Sequence, residues 1–362
     1  MTAEVLIPSA PTVRRLLAIA AAGLGLLCAP GAARCDVATL EDAKYQRAFD
    51  AAVDKALAYL AKAQLPDGSF PGGMPKNTAI ASLCVMAFLA RGYSPGLPPY
   101  GDTINRGIDF VLAAQDARGL LIGAGRGQMY SHNISTLMLS EISGMVAPER
   151  QKRVDEALPK ALKAILAAQD VQKQKIYQGG WRYEPNSTDS DLSHSGWALM
   201  ALRSARNNGA TVPKEAIDRA VSFLLSLRNA DGGFSYQVAS RLGSGVARTG
   251  AGLLCLELCG RHRDEAALKA GQFIAAEFDR RLKREYFFYG LYYCAQGMFQ
   301  LGGEEWEKFA PRLYDTVLKM QKEDGSWESP HNQEKRAGPC YSTGMAVLAL
   351  SVSYRQLPIY QR

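Results

Sequence analysis

The chain has 362 residues, of which 47% are hydrophobic and 21% charged, the balance of a soluble globular protein. That excludes a disordered tail, a collagen-like rod and a polytopic membrane protein. The formal net charge of +7 comes from Lys and Arg scattered among acidic residues rather than from a basic block, so no nucleic-acid partner is expected.

In chain order, the first element reads as an export signal. Arg14 and Arg15 precede an uncharged run from Leu16 to Ala33 that ends in Pro30, Gly31, Ala32 and Ala33. This is the basic, apolar, small-residue order of a secretory leader. Its most apolar part, Leu16 to Cys28, is shorter than the roughly 20 residues of a spanning helix. Residues 1–35 are expected to be a signal peptide and residues 36–362 a single exported domain, periplasmic or extracellular, with an uncleaved anchor as the alternative. Five cysteines then remain, Cys84, Cys255, Cys259, Cys294 and Cys340. An odd count without regular spacing argues against a disulfide framework, and the first four sit in apolar runs as small hydrophobes.

The rest of the chain is one unit repeated. Val53, Ala56, Leu57, Leu60, Ala61 and Gln64 lie on one face of an α-helix. The same template begins again at Ile104, Leu158, Ile217, Ala266 and Ala310, in steps of 44 to 59 residues. Gln115, Gln169 and Gln321 take the place of Gln64, whereas Arg228 and Glu277 replace it in two copies. Turns follow the helices, among them Asp67-Gly68-Ser69-Phe70, Gly179-Gly180-Trp181, Asp231-Gly232-Gly233-Phe234 and Asp324-Gly325-Ser326-Trp327. Asp-Gly and Gly-Gly supply the positive φ of a tight reversal. After each turn comes a helix that is apolar all round: Thr78–Leu89, Ile134–Ile142, Trp197–Ala205, Gly250–Leu258, Leu291–Leu301 and Ser342–Val352. Such helices belong inside.

Six hairpins, each an amphipathic outer helix and a buried inner one, predict an all-α closed (α/α)6 toroid. An open solenoid would need polar caps at its ends, and neither end has an obvious one. All inner helices run the same way, so their N-termini converge on one mouth of a central cavity. Asn77, His132, the stretch Asp189 to His194, Arg248, Tyr289 and Tyr341 map to that mouth. Its helix dipoles favour an anion or a carboxylate there. For Asn77 and Ser342 a capping or packing role is expected.

The Gln…Asp-Gly-Ser-Trp and Gln…Gly-Gly-Trp pattern resembles the repeats of the squalene cyclase and protein prenyltransferase β-subunit superfamily, over essentially the whole mature chain. Toroids of this size also include glycosidases, polysaccharide lyases and thioester domains, but the thioester motif Gly-Cys-Gly-Glu-Gln is absent. Squalene–hopene cyclases carry an Asp-x-Asp-Asp motif, and the resemblance maps its first two aspartates onto Asp189 and Asp191, with Leu192 in the last position. The resemblance implies Asp191 as an acid that protonates an alkene, with Asp189 and His194 beside it. The alternative is that Asp191 or Ser193 caps the third inner helix. The stretch from Lys335 to Ser342 is similar to a prenyltransferase zinc segment, in which Lys335, Cys340 and Tyr341 match. Gly338 stands in place of the ligating Asp, so no metal and no cofactor are expected.

Aromatic residues suit an apolar pocket or a carbocation, and equally a sugar. Tyr130, His132, Trp197, Arg248, Tyr289, Tyr292 and Tyr341 are the substrate-binding candidates. Trp181 and Trp327 are read as packing groups. Three functions remain open: binding or acid-initiated conversion of an apolar polyisoprenoid, with peripheral membrane contact; carbohydrate chemistry, in which Glu184, Asp189 and Asp191 would serve as acids; and a non-catalytic binding or scaffold toroid.

Overall fold

A computed structural model of the chain describes residues 40–73, 77–123, 128–238 and 240–361. The expected signal peptide lies outside them. Six outer helices alternate with six inner ones. The outer set is α1 (Leu40–Ala63), α3 (Gly101–Ala113), α5 (Pro148–Gln169), α7 (Lys214–Ser226), α9 (Glu265–Arg281) and α11 (Gly303–Leu318). The inner set is α2 (Thr78–Ala90), α4 (Gln128–Glu141), α6 (Leu192–Asn207), α8 (Val246–Leu258), α10 (Phe287–Leu301) and α13 (Pro339–Leu350), with the short α12 (Asn332–Lys335) just before the last. No strand forms among the described residues, only isolated bridges in the turns.

Each inner helix packs on the next, and α13 packs back on α2. The ring is therefore closed, and the expectation of a toroid holds. Inner helices are buried over nearly their whole length, whereas the outer ones bury one stripe. Cys84, Cys255, Cys294 and Cys340 are free and buried, and Cys259 is half-buried.

The repeat residues explain how the hairpins are joined. Gln64 Nε2 donates to Gly68 O in its own turn and to Thr103 O in the next outer helix. Gln115 and Gln169 do the same toward α5 and α7. Gln321 Nε2 donates to Gly325 O and to Ala52 O of α1, so the last repeat clasps the first as the first three pairs are clasped. Gly325 has φ of 89°, and a Cβ there would sit 2.5 Å from Lys55 O. Only glycine lets this turn lie on the first outer helix. Trp181 Nε1 donates to Ile165 O and Trp327 Nε1 to Val317 O, so both turn tryptophans pack as read from the sequence.

Inner helices begin earlier than the apolar pattern suggests, α4 at Gln128 rather than Ile134 and α6 at Leu192 rather than Trp197. Their first turns are polar because they face the mouth, and polarity there imitates a loop. At the opposite end the C-terminal residues close the barrel. Leu357, Ile359 and Tyr360 are buried. Tyr360 OH bonds Tyr292 OH, its carbonyl accepts from Gln300 Nε2, and Ile359 N–H donates to Glu141 Oε2 at the end of α4.

Candidate functional site

With one mouth plugged, the space that remains lies at the N-terminal ends of the inner helices. It is a cavity of about 600 Å³ whose wall includes Tyr130, His194, Tyr236, Arg248, Tyr289 and Tyr341. A second lobe of about 560 Å³ shares Tyr130, Tyr183, Ala337 and Tyr341 and continues along Ile80, Leu83 and Ile134. Phenolic rings line both lobes; aliphatic side chains join them in the second, and Arg248, Arg284, Glu285, His331 and Glu334 in the first.

At four of the inner helices, α2, α6, α8 and α10, the protein itself takes up N–H groups of the first turn. Asn77 Oδ1 accepts from Ala79 and Ile80 N–H at the start of α2. Asp191 caps α6 through His194 N–H, 2.9 Å. Glu285 reaches back to Val246 and Ala247 N–H on α8, both at 3.0 Å. Glu334 takes Phe288 and Tyr289 N–H on α10, at 3.0 and 2.8 Å. The anion preference inferred from the dipoles is therefore met at three of these helices by the protein's own carboxylates. The mouth is left as a phenol-rich chamber with an aliphatic second lobe and ionisable groups, Arg248, Arg284, Glu285, His331 and Glu334, in its wall.

Asp191 is the centre of the densest polar network. Its carboxylate accepts from His194 N–H, from Arg182 Nη1 at 2.9 Å and from Tyr236 OH at 3.2 Å, and it pairs with His194 Nδ1 at 2.8 Å. Arg182 Nε also meets Asp189, 3.1 Å away. Tyr183 OH lies 3.0 Å from Tyr236 OH, and the Arg182 guanidinium sits over both rings. Burial alone would raise the Asp191 pKa, but the His194 ring, the His194 N–H and Arg182 overcome it and hold the carboxyl below its ordinary range. A carboxyl kept ionised has no proton to give an alkene. Asp191 is fully buried and is not part of the cavity wall. The geometry thus makes it a cap and the partner of His194, rather than the acid that the motif resemblance implies.

An ionised carboxylate only accepts hydrogen bonds, so His194 Nδ1 carries the proton toward Asp191. His194 Nε2 is buried and has no partner. The ring is flanked by Tyr183 and Tyr130, with centroids 4.4 and 5.3 Å away, and it lines the cavity. A buried ring nitrogen left unmet costs about 1–3 kcal/mol.

Tyr130, Arg248, Tyr289 and Tyr341 line the cavity. Burial and neighbouring acidic or phenolic groups push the Tyr289 and Tyr341 hydroxyls well above the usual tyrosine range. Tyr289 OH donates to Ser193 Oγ, 3.1 Å. Trp197 and Tyr292, expected to bind substrate, are instead fully buried, line neither lobe, and stack on each other at 5.5 Å and 8°.

His132 is a correction. Leu121 N–H donates to its Nδ1 at 3.0 Å, and its Nε2 meets Ala161 O at 3.1 Å. Burial pushes its pKa down to about 4. It is fully buried, lines neither lobe, and pins a turn to an outer helix. Ser195, Thr249 and Thr343 do the same work in their own repeats, accepting Trp181, Phe234 and Trp327 N–H. Superposing the repeats therefore exposes the packing role of His132.

Sequence reasoning missed Arg182, Tyr183, Glu285 and Glu334. Arg182 and Tyr183 directly follow the Gly180-Trp181 turn, and that adjacency was the available signal. The two glutamates act on helices other than their own, which no local pattern reveals. In the prenyltransferase-like segment, Gly338 packs against Gly72, and burial pushes the Cys340 thiol up to about 11. Among the described residues no three His, Cys, Asp or Glu side chains are grouped to hold a metal ion.

No family model and no curated protein matches this chain. Solved structures do. The type II terpene cyclase MstE from Scytonema, in a complex with geranylgeranyl dihydroxybenzoate, superposes with a TM-score of 0.54 at 14% identity, covering 87% of this chain and 100% of that one. An α-1,6-mannanase of Salegentibacter gives 0.59 at 9% identity, covering 83% and 97%. A further glycosidase gives 0.57 at 14%, covering 88% and 100%. The fold is the α/α toroid. Terpene cyclases and glycosidases both use it, so fold alone does not choose between them.

Proposed function

We propose that this protein takes an elongated apolar ligand of the polyisoprenoid class into its N-terminal mouth. The observation that carries the reading is the cavity itself, a two-lobed chamber walled by Tyr130, Tyr289, Tyr341, Ile80, Leu83 and Ile134, with the N-termini of α6, α8 and α10 capped by the protein's own carboxylates. Such a lining rewards burial of a chain of CH₂ and CH₃ groups. The MstE complex, on the same fold, holds a geranylgeranyl compound, which supports the same ligand class.

The carbohydrate reading is the second one, and the glycosidase structures favour it. It needs a pair of carboxyl groups free to act on the scissile bond. Glu285 and Glu334, the two glutamates on the wall, are both engaged with main-chain N–H groups. That engagement weighs against the carbohydrate reading.

Export and contact with a membrane surface belong to the same proposal. Tyr183, Leu242 and Tyr286 are exposed at the rim of the cavity, beside Arg248 and Arg284, as suits a protein that collects its ligand from lipid. No helix among the described residues is long and apolar enough to cross a membrane.

The test is native mass spectrometry of the mature protein with squalene, with geranylgeraniol and with an oligosaccharide panel, followed by analysis of products. One equivalent of bound isoprenoid is expected, reduced at least tenfold in affinity by Ala247→Trp, which fills the wall. Sugar cleavage without isoprenoid binding would overturn the proposal.

A further inference from the structure

We infer that the Asp191–His194 pair is a hydroxyl-recognition site, so that the ligand is an isoprenoid alcohol or phenol rather than a hydrocarbon. The inference rests on the polyisoprenoid reading and narrows it.

The Asp191 carboxylate takes His194 Nδ1 at 2.8 Å and is locked in place by Arg182 and Tyr236. This fixes both the plane of the ring and, in the neutral ring, its tautomer: Nδ1 bears the proton and Nε2 the lone pair. The backbone supports the same geometry, because Asp191 also caps the helix on which His194 stands. Tyr130 and Tyr183 pack against the ring in T-shaped contacts. A nitrogen oriented this firmly, on a residue of the cavity wall, has no donor in the protein.

The neighbouring phenols do not supply one. Tyr289 OH donates to Ser193 and Tyr236 OH to Asp191. What fits is a neutral ligand O–H that donates to Nε2 while the hydrocarbon chain lies along the aliphatic lobe. A hydrocarbon would leave the nitrogen unmet, and an ether can offer it only an acceptor.

The experiment compares geranylgeraniol with its methyl ether, by titration calorimetry on the full mature chain. The wild type should bind the alcohol at least tenfold more tightly. Asp191→Asn presents an amide N–H to Nδ1, moves the ring proton to Nε2 and turns the acceptor into a donor. Discrimination between alcohol and ether should then fall to within about twofold, with ether affinity retained. Because Asp191 also caps a helix, the tautomer is read directly as well. In ¹⁵N-histidine-labelled wild type, the resonance absent from His194→Gln should be that of an unprotonated Nε2, and it should shift with alcohol but not with ether. Equal affinity of the wild type for alcohol and ether, or a protonated Nε2 in the free protein, would overturn the inference while leaving the polyisoprenoid reading standing. Binding of neither compound would overturn both.

Discussion

Glu141 and His132 lie on the same helix, α4, and respond to pH in opposite senses. Burial raises the Glu141 pKa from 4.5 to about 7. The native state therefore holds a proton that the unfolded chain releases, and stability is lost as pH rises from about 4.5 to 7. His132 is depressed from 6.5 to about 4 by burial. Its contribution is present above pH 6.5 and is lost as pH falls toward 4. Each effect is on the order of 3 kcal/mol. Over pH 4.5 to 6.5 the two slopes oppose each other, and the wild type is expected to be nearly flat in urea unfolding. Glu141→Gln should unmask the histidine, with stability rising across that interval. A variant profile parallel to the wild type would contradict the assignment. The same scale shows why the motif misled. Asp191 and His194 do meet, and Asp189 joins them only through Arg182, which arrives from the preceding turn and, with His194, keeps Asp191 ionised. No spacing rule announces that partner.

The clasp between hairpins is the feature most open to test at the level of elements. Gln321→Ala removes two hydrogen bonds at ring closure and should cost about 1–3 kcal/mol. Gly325→Ala adds a clash with Lys55 O to an unfavourable φ and should cost at least about 2 kcal/mol. Gly209 has the same kind of φ, 91°, but nothing within 4 Å, so Gly209→Ala should be distinctly milder in thermal unfolding. Equal losses at the two glycines would mean that contact with the first repeat adds nothing. The outer helices, their glutamines and their turns were legible because burying one stripe imposes a period on the sequence. The inner helix starts were not, because the first turns of α4 and α6 are polar where they face the mouth. His132 was misplaced for a related reason: Ser, Thr and His fill one position in different repeats, and side-chain chemistry alone hides that they are equivalent.

Across the whole molecule the toroid is a chamber with one end sealed by its own C-terminus. Tyr360 and Ile359 hold Tyr292, Gln300 and Glu141 from below. Deleting residues 357–361 should lower the melting temperature by at least about 5 °C and open a second entrance to dye-sized probes. An unchanged melting temperature would show that the plug is dispensable. Closure and cavity were readable from repeat order, because aligned inner helices must share one mouth. The plug was not, since a short apolar tail carries no period. The open mouth is expected to take a prenyl chain. A diazirine-bearing geranylgeraniol analogue, photolysed with the protein and mapped by peptide mass spectrometry, provides the test. Labels on the segments carrying Tyr130, Tyr289 and Tyr341, suppressed by excess geranylgeraniol, are the expected result. Labels confined to the outer helices, or insensitive to competition, would contradict it.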